Sequence, residues 1–88
     1  MKSKLYRILT ENVNRGDIEK IVDVAFDSYT IFEASGRWKG IPEPSLAIDI
    51  VASECDATLV RSTAYAIKLA NAQQAVLVLT MEVESELI

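Results

Sequence analysis

Tyr29 to Val51 reads YTIFEASGRWKGIPEPSLAIDIV, two strand-like runs joined by a segment that carries Gly36, Arg37, Trp38, Lys39 and Gly40. β-Branched and aromatic residues dominate Tyr29 to Ala34, which predicts a strand continuing to about Ser35. Gly36 and Gly40 bracket a loop, and Pro42 and Pro44 close it, because proline lacks a donor and fixes φ. The next strand is therefore expected from about Ser45. There Leu46, Ile48 and Ile50 alternate with Ala47, Asp49 and Val51, leaving one strongly apolar face.

Upstream, Leu5 to Thr10 alternates Leu5, Arg7 and Leu9 with Tyr6, Ile8 and Thr10, a strand with apolar groups on both sides. Ile18, Ile21, Val22, Ala25 and Phe26 follow at helical spacing, with Glu19, Lys20 and Asp23 opposite. Asn14 and Asp17 resemble a capping box for this helix, and Gly16 relieves the turn that leads into it. Arg15, Gly16 and Asp17 spell an adhesion tripeptide, but a turn into a helix accounts for them.

Downstream, Asp56 is the expected N-cap of a second helix from Ala57 to about Ala72, with Leu59, Val60, Thr63, Ala64, Ile67 and Ala70 toward the core. Asn71, Gln73 and Gln74 mark its exit. Ala75 to Val83 is a last strand, apolar on both faces, and an acidic tail ends in Leu87 and Ile88, which are expected to dock. The order β-α-β-β-α-β predicts an α+β, ferredoxin-like fold over a single domain, residues 1–88, with both helices on one face of a four-stranded antiparallel sheet. The first and third strands are then central. Tyr6, Ile8, Val76 and Val78 are expected on the uncovered face, and a partner subunit would cover them.

Composition narrows the function. The chain has 88 residues, half of them hydrophobic, so its core is thin and oligomerisation is expected. A formal charge of −4 gives no basic footprint for nucleic acid. The longest apolar run, Ala75 to Leu79, is too short to span a bilayer, and the N-terminus has no hydrophobic signal core, which predicts a cytoplasmic protein. There is no histidine, and the single cysteine, Cys55, reads as a small packing residue. Together these remove disulfides, Cys/His zinc sites and Ser-His-Asp or Cys-His catalysis, so no enzyme is expected.

The central stretch resembles the PII signal-transduction family. Thr30, Ile31, Phe32 and Glu33, then Gly36, Arg37, Trp38, Lys39 and Gly40, are similar to that family's Thr-Val-Thr-Glu and Gly-Arg-Gln-Lys-Gly. Pro44 to Val51 is similar to its Pro-Lys-Val-Lys-Ile-Glu-Ile-Val. The resemblance implies a trimer with inward-facing sheets, an adenine nucleotide in clefts between subunits, and a loop (residues 36–44) that touches a protein partner. It implies ligand-binding roles for Glu33, Gly36, Arg37, Trp38, Lys39 and Gly40. The family's Gly-rich phosphate segment is replaced by Asn71, Ala72, Gln73, Gln74 and Ala75, and its loop glutamine by Trp38.

On chemistry alone, Arg37 and Lys39 beside Trp38 suit a phosphate or carboxylate joined to a ring. Glu33 and Glu43 suit a salt bridge to those cations better than acid-base work. The expectation is an oligomeric sensor of a small anionic ligand, with no metal and no nucleic acid. Alternatives are an adaptor without a ligand and an amino-acid-binding module of the ACT type, which shares the element order. An RNA-recognition motif shares it too, but the third strand shows no aromatics to stack bases.

Overall fold

A computed structural model describes residues 1–88. Its elements are β1 (Lys2–Glu11), α1 (Arg15–Ala25), β2 (Thr30–Trp38), β3 (Ile41–Ala52), α2 (Ala57–Ala70) and β4 (Leu77–Glu84), with a single 3₁₀ turn at Glu54–Asp56 before α2. The strands form one antiparallel sheet in the order β2-β3-β1-β4, so β1 and β3 are central, as the element order requires. The fold is α+β and ferredoxin-like.

The largest departure from the sequence reading is at its centre. β2 and β3 do not break at Gly36 or at the prolines; they run on as a ladder through Gly36↔Glu43, Arg37↔Pro42 and Trp38↔Ile41. The Pro44 carbonyl accepts the Asn12 N–H at 2.8 Å, so this residue's hydrogen-bonding edge faces β1 and away from β2. Pro42 shares that parity and lies past the end of β1, whose pairing with β3 stops at Glu11↔Ser45. Neither proline removes a β2–β3 bond. The loop contracts to Lys39 and Gly40, whose φ values of 50° and 80° make the type I′ turn that matches the twist of a hairpin.

The core fills the space between sheet and helices. Tyr6, Ile8, Leu46, Ile48 and Ile50 from the sheet meet Ile18 and Val22 of α1 and Val60, Ala64 and Ile67 of α2. Each large aliphatic buried here contributes on the order of 1.5–3 kcal/mol. The Tyr6 hydroxyl, carried into this apolar layer, donates to the Ser53 carbonyl at 2.7 Å.

This corrects the assignment of faces. Tyr6 and Ile8 lie beneath the helices, with Val76 and Val78 packed against them. The uncovered face instead carries Leu5, Arg7 and Leu9 of β1, Phe32 of β2, Ala47, Asp49 and Val51 of β3, and Leu77, Leu79 and Met81 of β4. Arg7 and Asp49 sit opposite each other in the register and form a two-pronged ion pair of 2.7 and 2.8 Å. Such a pair is costly to desolvate under a helix layer, which decides which way β1 turns.

Smaller corrections follow from backbone geometry. Asn14 is left-handed (φ 53°, ψ 49°) and makes no side-chain cap; its carbonyl accepts the Asp17 and Ile18 N–H groups. The turn is therefore relieved at Asn14, and Gly16 lies inside α1. The cap before α2 forms one turn early, with the Asp56 carboxylate accepting the Ser53 N–H at 3.0 Å. Cys55 projects outward from that turn and is exposed, and Leu59 and Ala70 lie on the outer side of α2. Leu87 and Ile88 are fully exposed and do not dock within the subunit.

Candidate functional site

At the hairpin end of the sheet the β2–β3 ladder runs on past the last β1 pairing, and a cavity of about 470 Å³ lies there. One wall is the hairpin, from Ala34 to Trp38. The floor is the end of β1 and β3, with Leu9, Thr10, Glu11, Glu43 and Ser45. The other wall is the turn between α2 and β4, Ala72 to Ala75, with Leu77 beyond it.

Three local features hold this shape. Gly36 approaches Ser45 so closely that a Cβ would stand 2.7 Å from the Ser45 hydroxyl oxygen, so a glycine lets the hairpin lie flat on β3. The Trp38 indole N–H donates to the Gln74 side-chain oxygen at 3.2 Å, tying the hairpin to the opposite wall. Gln73 anchors that wall, since its side-chain oxygen accepts from the Thr10 hydroxyl and from the Asn71 amide at 2.9 Å.

The turn itself is a Schellman closure of α2. The Ala72 N–H bonds to the Leu69 carbonyl at 3.2 Å and the Gln73 N–H to the Lys68 carbonyl at 3.0 Å. Ala72 takes the left-handed position, φ 51°, where helices most often place glycine.

Of the residues expected to bind, Gly36, Arg37 and Trp38 line the cavity. Lys39 stands outside the lining, its ammonium 5.9 Å from the centroid of the Trp38 ring, and Gly40 forms the turn. Arg37 donates to the Gly40 carbonyl at 3.4 Å and has no carboxylate partner. Glu33 is elsewhere: it lies outside the cavity and pairs with Arg15 of α1 at 3.5 Å, where a bridge to Arg37 or Lys39 had been expected. Glu43 lines the cavity unpaired.

The sequence reading missed Thr10, Glu11, Ser45, Gln73 and Gln74 as wall residues. The consecutive glutamines directly after a helix were the available signal: amide side chains at a helix exit can bridge to a facing strand end.

The displaced proton affinities lie outside the cavity. A hydrogen bond from Tyr29 to Asp23, 2.6 Å, pushes the phenol up to about 12, aided by burial. On the open face the hydrogen bond with Asp49, and then its charge, raise Arg7; on the side of the sheet that Tyr6 shares, the hydrogen bond with Glu82 raises Lys4. The Arg7 guanidinium also lies 5.6 Å from the centroid of the Phe32 ring, so the open face has a polar centre inside an apolar surround.

No protein-family model matches the chain, and no curated protein matches it. Solved structures do. CPII of Thiomonas intermedia K12, a nitrogen regulatory PII-like protein bound to ADP, AMP and bicarbonate, aligns over 99% of this chain and 98% of its own at a TM-score of 0.69 and 18% identity. A DUF3240 family protein of Shewanella baltica OS155 aligns over 98% and 94% at 0.76 and 9% identity. A phage SAM lyase in its apo state aligns over 92% and 81% at 0.76 and 16% identity. At such identities the likeness is one of fold, and it extends far beyond the Thr30–Val51 stretch that first suggested it: the chain carries, from end to end, a divergent form of the PII-like fold.

Proposed function

We propose that this chain is the subunit of an oligomeric regulatory protein that binds a small anionic ligand of the adenine nucleotide class at the hairpin cavity. One observation carries the reading. The cavity lining includes both Arg37, whose guanidinium has no carboxylate partner, and Trp38, residue types that suit a phosphate joined to a base. CPII, which has the same fold, holds ADP, AMP and bicarbonate.

The residues present fit part of such a ligand. Trp38 offers a face for a ring, and Arg37 a fork for one anionic group. The wall after α2 offers no glycine cradle, and two of its amides are committed to the helix end. Lys39 adds a cation at the rim.

Assembly is part of the proposal. Phe32, Val51, Leu77, Leu79 and Met81 are all well exposed on one face of a lone subunit, an apolar surround to the Arg7–Asp49 pair of the kind that marks an interface. A trimer closing over this face would set hairpins beside neighbouring subunits and give their movements a route to a protein partner. A regulatory and non-catalytic role is favoured because the lining holds carboxylates and amides but no histidine, cysteine or lysine. The cytoplasm is the compartment this reading implies, and no helix is long and apolar enough to cross a membrane.

Thermal unfolding in the presence of AMP, ADP, SAM and bicarbonate tests the reading. A ligand at a hundredfold excess over its Kd stabilises by about 2.7 kcal/mol, which in a domain this small raises Tm by roughly 10–20 °C. No shift with any of the four, with the protein folded, refutes it. Consumption of SAM during the same incubation would move the reading to a catalyst.

A further inference from the structure

The cavity wall holds more acid than base. Glu11 and Glu43 both line it, and neither takes part in any of the chain's ion pairs. Arg37 is the only cation in the lining, since Lys39 stands outside it against Trp38.

The backbone does not restore the balance. α2 reaches the cavity with its C-terminal end, the negative pole of the helix dipole. The first N–H groups of the turn beyond it, at Ala72 and Gln73, are held by the Leu69 and Lys68 carbonyls and are turned away from any ligand. The first turns of both helices, at Arg15 and Ala57, lie outside the lining, so the usual backbone site for a phosphate is missing from it. A chain of two or three phosphoryl groups placed here would meet one guanidinium and two carboxylates.

Resting on the proposed nucleotide reading, we infer that the cavity takes a nucleoside or nucleoside monophosphate and discriminates against di- and triphosphates. The chemistry of the wall fits that ligand. Carboxylates accept hydrogen bonds from ribose hydroxyls and from an exocyclic amine, which phosphates cannot supply. The Gln74 side-chain oxygen holds the indole while its nitrogen has no partner in the chain, so two N–H donors of this lining residue remain for a ring nitrogen or carbonyl. Arg37 then serves a single phosphate through both prongs of its guanidinium.

The test uses the full chain and its sole tryptophan, which lies in the cavity wall and reports binding by fluorescence. Adenosine, AMP, ADP and ATP are titrated with a chelator present, so that no divalent cation masks the phosphates. AMP is expected to bind most tightly, each added phosphoryl group weakening binding about three- to tenfold from like-charge repulsion in a partly hydrated site. Combining Glu11→Gln with Glu43→Gln is expected to bring the AMP to ATP affinity ratio toward one, and so is raised salt. ATP binding as tightly as AMP overturns the selectivity and leaves the cavity as a nucleotide site. An unchanged ratio in a folded double variant overturns its electrostatic cause. Binding of none of the four overturns both the selectivity and the functional reading beneath it.

Discussion

Ala72 occupies a position that its side chain opposes, so Ala72→Gly is expected to stabilise the protein. At φ 51° a Cβ crowds the following carbonyl, which disfavours the left-handed region by about 1–2 kcal/mol for a residue other than glycine. Glycine brings extra freedom to the unfolded chain, which offsets about 0.4–1 kcal/mol of that relief. The net gain is therefore about 0–1.6 kcal/mol, centred near 0.8. For a domain of this size the central value corresponds to a rise in Tm of about 3–6 °C.

Urea unfolding followed by circular dichroism at fixed protein concentration measures the difference, with Ala70→Gly as the companion. Ala70 is the last residue of α2, where φ is negative, so glycine there gives no relief and is expected to be neutral or destabilising. The contrast between two alanines two residues apart isolates the left-handed backbone from any general effect of glycine. If both substitutions destabilise alike, α2 does not end in the Schellman turn and the cavity wall described above is wrongly built.

The other predictions address the site and the open face. Arg37→Ala is expected to weaken AMP binding about tenfold or more, as loss of a charge-assisted hydrogen bond does, and Lys39→Ala only about two- to threefold, both read from Trp38 fluorescence. Equal losses would place Lys39 inside the cavity. Tyr29 is expected to titrate near 12, and Asp23→Asn to bring it back toward 10. Because folding raises this phenol's pKa, the stability it contributes is complete below about pH 10 and is lost as pH rises through about 12. Ring resonances in a pH series follow both, and an unmoved Tyr29 in the variant refutes the hydrogen bond as cause. Leu79→Arg puts a second guanidinium opposite Arg7 on the apolar face and is expected to dissociate the assembly into folded single subunits, seen by light scattering. An unchanged mass would place the interface elsewhere.

How far the sequence led depended on which force decided each feature. Helical spacing from Ile18 to Phe26 and alternation from Leu46 to Ile50 are properties of one element, and they placed α1, β3 and the element order. The sides of β1 are not a property of β1, because Leu5 and Leu9 are as apolar as Tyr6 and Ile8. Only the register that sets Arg7 against Asp49 resolves them. The hairpin was misjudged for a related reason: Pro42 and Pro44 terminate a strand only if their missing donors face a neighbour, and these face past the end of β1. Arg37 and Trp38 were legible as residues with binding chemistry. Glu11 was not, since it comes to the cavity through long-range pairing, and Gln73 and Gln74 were legible only as amides at a helix exit.

The register also ties the cavity to the open face. Phe32 pairs with Ala47, Ala34 with Ser45, Gly36 with Glu43 and Trp38 with Ile41, so these alternate residues of β2 share one side of the sheet. That side begins at the Arg7–Asp49 pair, beside Phe32, and ends at the cavity wall. A ligand that fixes Trp38 acts on the same rigid strand that presents Phe32 to a neighbouring subunit. Binding and assembly are then linked, and linkage is reciprocal: whatever factor assembly adds to ligand affinity, ligand adds to assembly. Dilution in the presence of saturating AMP is accordingly expected to dissociate the oligomer at a protein concentration at least fivefold lower than without it, a coupling of about 1 kcal/mol. Identical dissociation curves would mean that the hairpin and the sheet face act independently, and that the cavity is complete within one subunit.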